Sequence, residues 1–372
     1  MQRYKFQRTK ATPTLKKIDY MTPKIIIDGR LLNDKHTGIS RYSYKMIEAL
    51  IAKFGHDNVT VIVAPDLKHK PFNYVQTKLR PFNLFHFFRF GSFLSKLDFD
   101  LLYTPFYANA FFKQRKKTYI ITVHDLMYQK VPFFSTSRII NYLGILYYNF
   151  IVRHSLKNST IISVSKTTQN DVRDLVGRES LLLREGVNLL ANDPSQKNKI
   201  QAIPDEYFLY VGNLRMHKNV EFLISAFLKS NTTKKLVICG NYKPVSWQYN
   251  SDRIVFLGYV DDATLRTLYA NCTAFVFPSL YEGFGLPILE ALSLGANVYS
   301  SNAGALSEFS NEFISFFDPK NEDELIRLLE IEQPRPLNKE KLLVYLNGFS
   351  WEDIQEEFMQ IIAKIVNENN KF

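Results

Sequence analysis

Cysteine is almost missing from the 372 residues: only Cys239 and Cys272 occur, and neither stands in a ligand-like spacing. That excludes a disulfide framework and a thiolate metal site, and it fits a reducing compartment. No run of about eighteen uncharged apolar residues is present, so no bilayer span is expected. Ile139–Val152 comes closest, but it is short and is interrupted by Asn141 and Asn149. The basic residues before position 22 are not followed by an apolar stretch, so no secretory signal is expected and the protein is placed in the cytoplasm. Acidic residues are scarce in one half. Residues 1–200 hold 32 Lys+Arg against 14 Asp+Glu, a net of +18, whereas 201–372 hold 15 against 22, a net of −7. Such a cationic half suits anionic lipid headgroups, polyphosphate acceptors or nucleic acid.

What the chain does contain is ordered about Phe275–Leu294. Ala274–Phe277 is a short apolar run of the kind that forms a buried strand, and Pro278 and Ser279 stop it. Gly283 and Gly285 permit positive φ and let a ligand approach the backbone. Pro287 sits where a first helical position is expected, and Ile288, Leu289, Leu292 and Leu294 carry a helical apolar face. A strand, a glycine loop and a helix start follow in series, with Glu282 in the loop and Glu290 about one turn into the helix. Amides at a helix start attract phosphate. A carboxylate repels it, so the two glutamates need another task, and accepting hydrogen bonds from ribose and hexose hydroxyls is the obvious one. An ordinary strand, loop and helix with surface glutamates is the plain alternative. A dinucleotide fingerprint is not formed, because Ile288 stands where a third glycine would complete it.

The length suggests two α/β domains of ordinary size. We divide the chain into a basic flexible arm at 1–22, a first domain at 23–190, a linker at 191–200, a second domain at 201–348 and a terminal helical segment at 349–372. In the first domain Lys24–Asp28 reads as a strand and Arg30–Arg41 as a loop containing Gly38. Tyr44, Ile47, Leu50 and Ile51 then lie at helical spacing, and Val59–Ala64 is the next strand. This order opens a parallel sheet, whose ligands sit beyond the carboxyl ends of strands, where Gly38 falls. Within Phe72–Leu97, Phe82, Phe85, Phe87, Phe88, Phe90 and Phe93 interleave with Arg80, His86, Arg89 and Lys96. No single helical face buries all these rings, so core packing and an interfacial surface helix are weighed equally, with an anionic membrane surface as partner. Phe111-Phe112 followed by Lys113–Lys117 repeats the theme. No nucleic-acid module accompanies these residues, and no nucleic-acid partner is expected. Asp98-Phe99-Asp100 is read as a loop entering a strand at Phe99–Thr104 rather than as a metal motif. Tyr119–Val123 runs into His124, whose two ring nitrogens at a cleft edge suit a sugar hydroxyl.

The second half restarts the pattern. Tyr207–Val211 is followed by a turn at Gly212 and then by Arg215 and Lys218, an arginine fork and a lysine point charge that suit a diphosphate. Leu236–Gly240 and Ile254–Leu257 are the next strands. After them the main chain at Tyr259 and Val260 is placed to read a base edge.

The glutamate pair within Glu-Gly-Phe-Gly-Leu-Pro, the Gly-Asn-Leu-Arg-Met-His-Lys and Thr-Gly-Ile-Ser-Arg-Tyr loops, Val-His-Asp-Leu and the Phe-Ser-Trp start of the last helix occur in one order from about Pro23 onward. Together they resemble the family 4 retaining glycosyltransferases. The resemblance implies a GT-B fold, two Rossmann-like parallel-sheet domains facing a cleft, with the terminal helix crossing back to the first domain. It also implies a role for each matching residue. Arg215 and Lys218 would neutralise the donor diphosphate, Glu290 would hold the ribose and Glu282 the transferred sugar. Backbone at Gly283, Phe284, Gly285 and Leu286 would complete the pocket, Gly38 would lie near the diphosphate, and His124 would reach the sugar from the opposite domain. The activity implied is retaining transfer of a hexose or deoxyhexose from a nucleotide-sugar donor to a glycan; that the glycan is polyprenyl-diphosphate-linked, at the inner face of the membrane, is expected only from the basic, aromatic first half. No metal or cofactor is expected. Front-face attack and double displacement through Glu282 both stay open. A noncatalytic nucleotide-sugar-binding or scaffold protein and a nucleotide-sugar epimerase of the same architecture are the competing readings.

Overall fold

The computed structural model describes residues 22–34, 38–131, 137–188, 203–240 and 251–369. The arm expected at 1–22, apart from Thr22, and the linker expected at 191–200 lie outside the described residues. Two wholly parallel sheets form the architecture, as expected. The first contains β1 (Ile25–Asp28), β2 (Val59–Val63), β3 (Tyr74–Gln76), β4 (Leu101–Thr104), β5 (Thr118–Val123), β6 (Thr160–Ser163) and β7 (Leu181–Leu182), in the order β3-β2-β1-β4-β5-β6-β7. Its helices are α1 (Gly38–Phe54), α2 (Leu84–Leu94), α3 (Met127–Lys130), α4 (Arg138–Leu156) and α5 (Lys166–Val176).

The second sheet contains β8 (Tyr207–Val211), β9 (Lys235–Cys239), β10 (Ile254–Gly258), β11 (Ala274–Phe277), β12 (Val298–Ser301) and β13 (Ile314–Phe317), in the order β10-β9-β8-β11-β12-β13. Helices α6 (Val220–Lys229), α7 (Asp262–Asn271), α8 (Leu286–Ser293), α9 (Glu322–Leu329) and α10 (Lys339–Asn347) belong with it, and α11 (Trp351–Asn369) ends the chain. The central strands β1, β4, β8 and β11 are almost unbroken apolar runs, because a parallel strand is covered on both faces. Strand order reverses between β1 and β4 in one sheet and between β8 and β11 in the other. Ligands of such sheets bind outside the carboxyl ends of the strands at those two points.

Several local expectations need correction. The stretch read as a loop through Arg41 is already helical from Gly38, because Tyr42, Ser43, Met46, Ile47 and Leu50 form a buried side. The strand placed at Phe99 begins at Leu101; the Asp100 carboxylate accepts the Lys24 amide at 2.9 Å and Asp98 pairs with the Lys24 ammonium, so both acids serve the loop. Pro287 is the second helical residue, since Leu286 opens α8 behind Gly285 at φ 122°. In α2 the rings separate by side, with Phe87 and Phe90 fully buried and Phe85 and Phe88 exposed.

Helix α11 packs into the first domain. Trp351, Ile354, Phe358, Ile362 and Ile365 share a core with Ile47 and Leu50 of α1, and Gln355 donates to the Lys45 carbonyl at 2.7 Å. Val187 and Ser350 pair as a parallel bridge, with Val187 N–H to Phe349 O at 2.8 Å. A Cβ on Gly186 would stand 2.5 Å from the Trp351 ring.

Candidate active site

The loops after β8 and β11 meet, and their side chains do too. Gly212 donates its amide to Cys239 O at 2.9 Å, and its own carbonyl lies 2.0 Å from where a Cβ on Gly240 would stand, so β8 and β9 end in two backbones too close for side chains. Beyond Gly212 the chain forms a tight turn at Met216–Lys218 and leaves it through Asn219 at φ 55°. The amide of Leu280 donates to His217 O at 2.7 Å, which ties this turn to the loop after β11. Lys218 Nζ then reaches Glu282 Oε1 at 2.6 Å, with both side chains 15% exposed. The ammonium also lies 5.3 Å above the Phe277 ring.

Glu282 and Gly283 are clamped from behind. Ala305 N–H donates to Glu282 O at 3.2 Å, and Gly304 turns there at φ 57°. Gly283 faces the first domain so closely that a Cβ would stand 1.9 Å from His124 O and 2.8 Å from the Asp125 Cβ. Thr168 Oγ1 lies 3.2 Å from His124 O and 3.3 Å from Gly283 O, bridging the two domains at this point. Phe284, by contrast, turns its ring into the second domain's core against Phe309 and Phe349. Only its main chain can take part in the site.

Glu290 lies one turn into α8 and is held from across the cleft: Arg41 Nη1 donates to its Oε1 at 2.8 Å. Burial raises the Glu290 pKa, and the Arg41 cation works against that rise. Around the pair is a cavity of about 240 Å³ lined by Arg41, Asp262, Arg266, Tyr269, Glu290 and Trp351 among others. The buried Tyr269 hydroxyl and Trp351 indole nitrogen have no hydrogen-bond partner among the described residues. Leu286 lines this cavity, whereas Tyr259, which is exposed, and Val260 do not. Gly38 begins α1 facing open space, with nothing within 4 Å of its Cβ position.

His124 is held by partners that the sequence does not announce. Its Nδ1 lies 2.6 Å from Glu185 Oε1 and its Nε2 3.1 Å from Pro105 O, two acceptors that both require a proton on the ring. Burial opposes the charge, but Glu185, Asp125 and the Pro105 carbonyl together outweigh it, and the His124 pKa is raised. Both nitrogens thus have partners within the first domain, and Glu185 reaches the ring from beyond β7. The Asp125 carboxyl is raised by burial, within electrostatic reach of His124, Glu282 and Lys218. Arg215 is exposed and lines a second interdomain cavity of about 640 Å³, together with Tyr107, Asp125, Tyr128 and Tyr148 of the first domain. Among the described residues no group of three or more His, Cys, Asp or Glu is arranged to hold a metal ion.

Two further contacts hold the domains together. The Glu308 carboxylate accepts the Lys166 and Thr167 amides at 3.0 and 2.6 Å, capping α5 from the other domain. Tyr281 donates to Asp171 at 2.5 Å, and Lys130 pairs with the same carboxylate at 3.0 Å. Reading the sequence missed Arg41, Tyr269, Glu185 and Glu308. A signal existed only for Arg41, which sits in the Thr-Gly-Ile-Ser-Arg-Tyr stretch. The others become functional candidates through distant partners.

Residues 193–332, which include Arg215, Lys218, Glu282 and Glu290, match the family model described as "Glycosyl transferases group 1". Over this stretch, which is less than half of the chain, the sequence is similar to that family. The chain is 34% identical over 172 residues to O-antigen chain mannosyltransferase B of Escherichia coli, a match covering 42% of this chain and 45% of that protein. The chain thus spans less than half the length of that curated relative. Sucrose-phosphate synthase from Thermosynechococcus elongatus superposes with a TM-score of 0.72 at 20% identity, covering 92% of this chain and 99% of that one. WaaG, a glycosyltransferase involved in lipopolysaccharide biosynthesis, superposes with a TM-score of 0.71 at 14% identity, covering 91% and 99%. At these identities the likeness is one of fold, and the fold is GT-B.

Proposed function

We propose that the chain is a retaining glycosyltransferase of polysaccharide assembly. It moves a hexose or deoxyhexose from a nucleotide diphosphate sugar to a glycan, and the acceptor is carried on a lipid diphosphate. The observation that carries this reading is the Lys218–Glu282 pair at the carboxyl ends of the two strands where the second sheet reverses, beside the start of α8. In this reading Lys218 and Arg215 sit against the donor diphosphate, and the cavity at Glu290 takes the nucleoside. Glu282 holds a sugar hydroxyl.

The bond between the anomeric carbon and the β-phosphate oxygen breaks as the bond to the acceptor oxygen forms. Negative charge grows on the departing phosphate, and the two cations stabilise it in a cleft screened from water. The acceptor proton passes to the leaving oxygen, so neither a metal nor a protein nucleophile is needed. Closure of the domains, held by Glu308 and Tyr281, limits hydrolysis.

A panel of nucleotide sugars tested by thermal shift, followed by assay of nucleotide release, checks the proposal. Release of a nucleoside diphosphate only when a glycan acceptor is present supports transfer. A changed sugar in the absence of acceptor means epimerisation, and stabilisation without turnover means a binding protein. The pH dependence of nucleotide affinity tests the ribose assignment separately. Ionised Glu290 accepts the hydroxyls, so affinity falls as pH drops through its pKa, which burial raises and Arg41 holds back. Asp262, facing the same carboxylate, acts in the raising direction. Arg41→Ala removes the restraining cation and is expected to shift the fall in affinity to higher pH; an unmoved profile would remove Glu290 from the ribose.

A further inference from the structure

Helix α4 has an apolar side that the described parts of the protein leave largely open. Ile139, Leu143, Leu146 and Phe150 follow one another at steps of four, three and four residues, which is one stripe along a helix. Ile139 is 72% exposed and Leu143 57%, with Tyr142 beside them at 61%. The stripe does not stop at the helix. The Phe111 ring lies edge-on to Phe150 at 5.2 Å and to Phe88 of α2 at 5.6 Å, so the exposed rings of α2 continue the same surface. Phe112, 70% exposed, stands next to Phe111. Exposed apolar surface on this scale marks an interaction site.

Charge indicates what covers it. The rim is basic: Arg89 lies over the Phe85 ring, Arg153 prolongs the α4 stripe by one turn, and Arg115 and Lys116 are exposed just past Phe112. Aromatic and aliphatic side chains ringed by cations, on a domain that itself carries the chain's excess positive charge, match an acyl-chain boundary beneath anionic headgroups. The opposite side of α4 faces the cleft. Tyr148, half a helical turn around from Leu146, lines the 640 Å³ cavity with Arg215.

We propose that the α4 stripe, continued by Phe88 and Phe112, is the membrane-docking surface, and that α4 stands between an anionic bilayer and the Arg215 cavity so that a lipid-borne diphosphate enters along it. The contact with the bilayer stands without the glycosyl-transfer reading; the route of entry rests on it.

The test uses the full chain and vesicles of phosphatidylglycerol with phosphatidylcholine, or of phosphatidylcholine alone. The parent is expected to co-sediment with the anionic vesicles at low salt and to release as salt rises. Leu143→Asp combined with Leu146→Asp removes only exposed groups, and bound protein is expected to drop about tenfold or more. Tyr142→Trp is expected to shift its emission to the blue with anionic vesicles. Nucleotide affinity in the double variant is expected to equal the parent's, so loss of nucleotide binding in the parent would count against the function and not against this surface. Equal binding of parent and double variant, equal binding to neutral vesicles, or a parent dimer that the double variant abolishes would each overturn the proposal.

Discussion

Lys218→Ala is expected to lower single-turnover sugar transfer by about 100- to 1,000-fold, the usual cost of removing one preorganised group from a developing anion. The same substitution has a structural consequence that must be separated from the chemical one. Lys218 and Glu282 are largely buried together, and stripping one partner from a buried pair leaves an uncompensated charge, at a cost of about 3–5 kcal/mol. Lys218→Met with Glu282→Gln removes both charges at similar volume. If the lysine acts on the donor diphosphate, the double variant recovers thermal stability but not transfer. Recovery of both, or near-parental turnover in folded Lys218→Ala, would reduce Lys218 to a structural role.

Gly283→Ala is the second substitution for which a large effect is expected, and it tests the cleft rather than the chemistry. A methyl at this position would lie 1.9 Å from the His124 carbonyl oxygen, which is backbone and anchored beside a buried strand. The domains would have to separate by more than about an ångström at the point where Thr168 bridges them, and misplacement on that scale costs about 100-fold in rate. Each domain keeps its own core, so the variant is expected to fold with a near-parental circular dichroism spectrum while transfer drops. Small-angle scattering should report a larger radius of gyration in the presence of donor than the parent shows. A parental radius and parental turnover together would mean that the seam at Gly283 opens freely and takes no part in catalysis.

Much of this site could be read from order along the chain. The strand at Ala274–Phe277, the glycines at 283 and 285 and the helix carrying Glu290 are contiguous, and local rules act on contiguous residues: apolar runs make buried strands, glycine makes the tight turn, proline starts the helix. The same holds for Tyr207–Val211 and its basic turn. The pairing of Lys218 with Glu282 was not legible, because each side chain was assigned to a ligand and nothing local says that they meet in its absence. The partners of His124 were not legible either: Glu185 is 61 residues away and takes one nitrogen, while Pro105 takes the other. For the phenylalanines of 82–93 the helical spacing shows only that one face cannot bury every ring, which leaves core and surface equally weighted. Which ring went where depended on the neighbours of α2, above all Phe111 and the strand bearing Leu102.

Taken alone, the sequence determined the two parallel α/β domains, the strands and glycine loops that end at the cleft, and the sign of charge in each half, because these follow from periodicity, backbone sterics and composition. The tertiary structure decided which charged groups face one another across the seam, Arg41 with Glu290, Glu308 with the start of α5, Tyr281 with Asp171, and which apolar side of α4 is left largely open. Those outcomes depend on distances of a few ångströms between residues far apart in the chain, and electrostatic and packing energies at that range are set by the meeting of surfaces rather than by any local pattern.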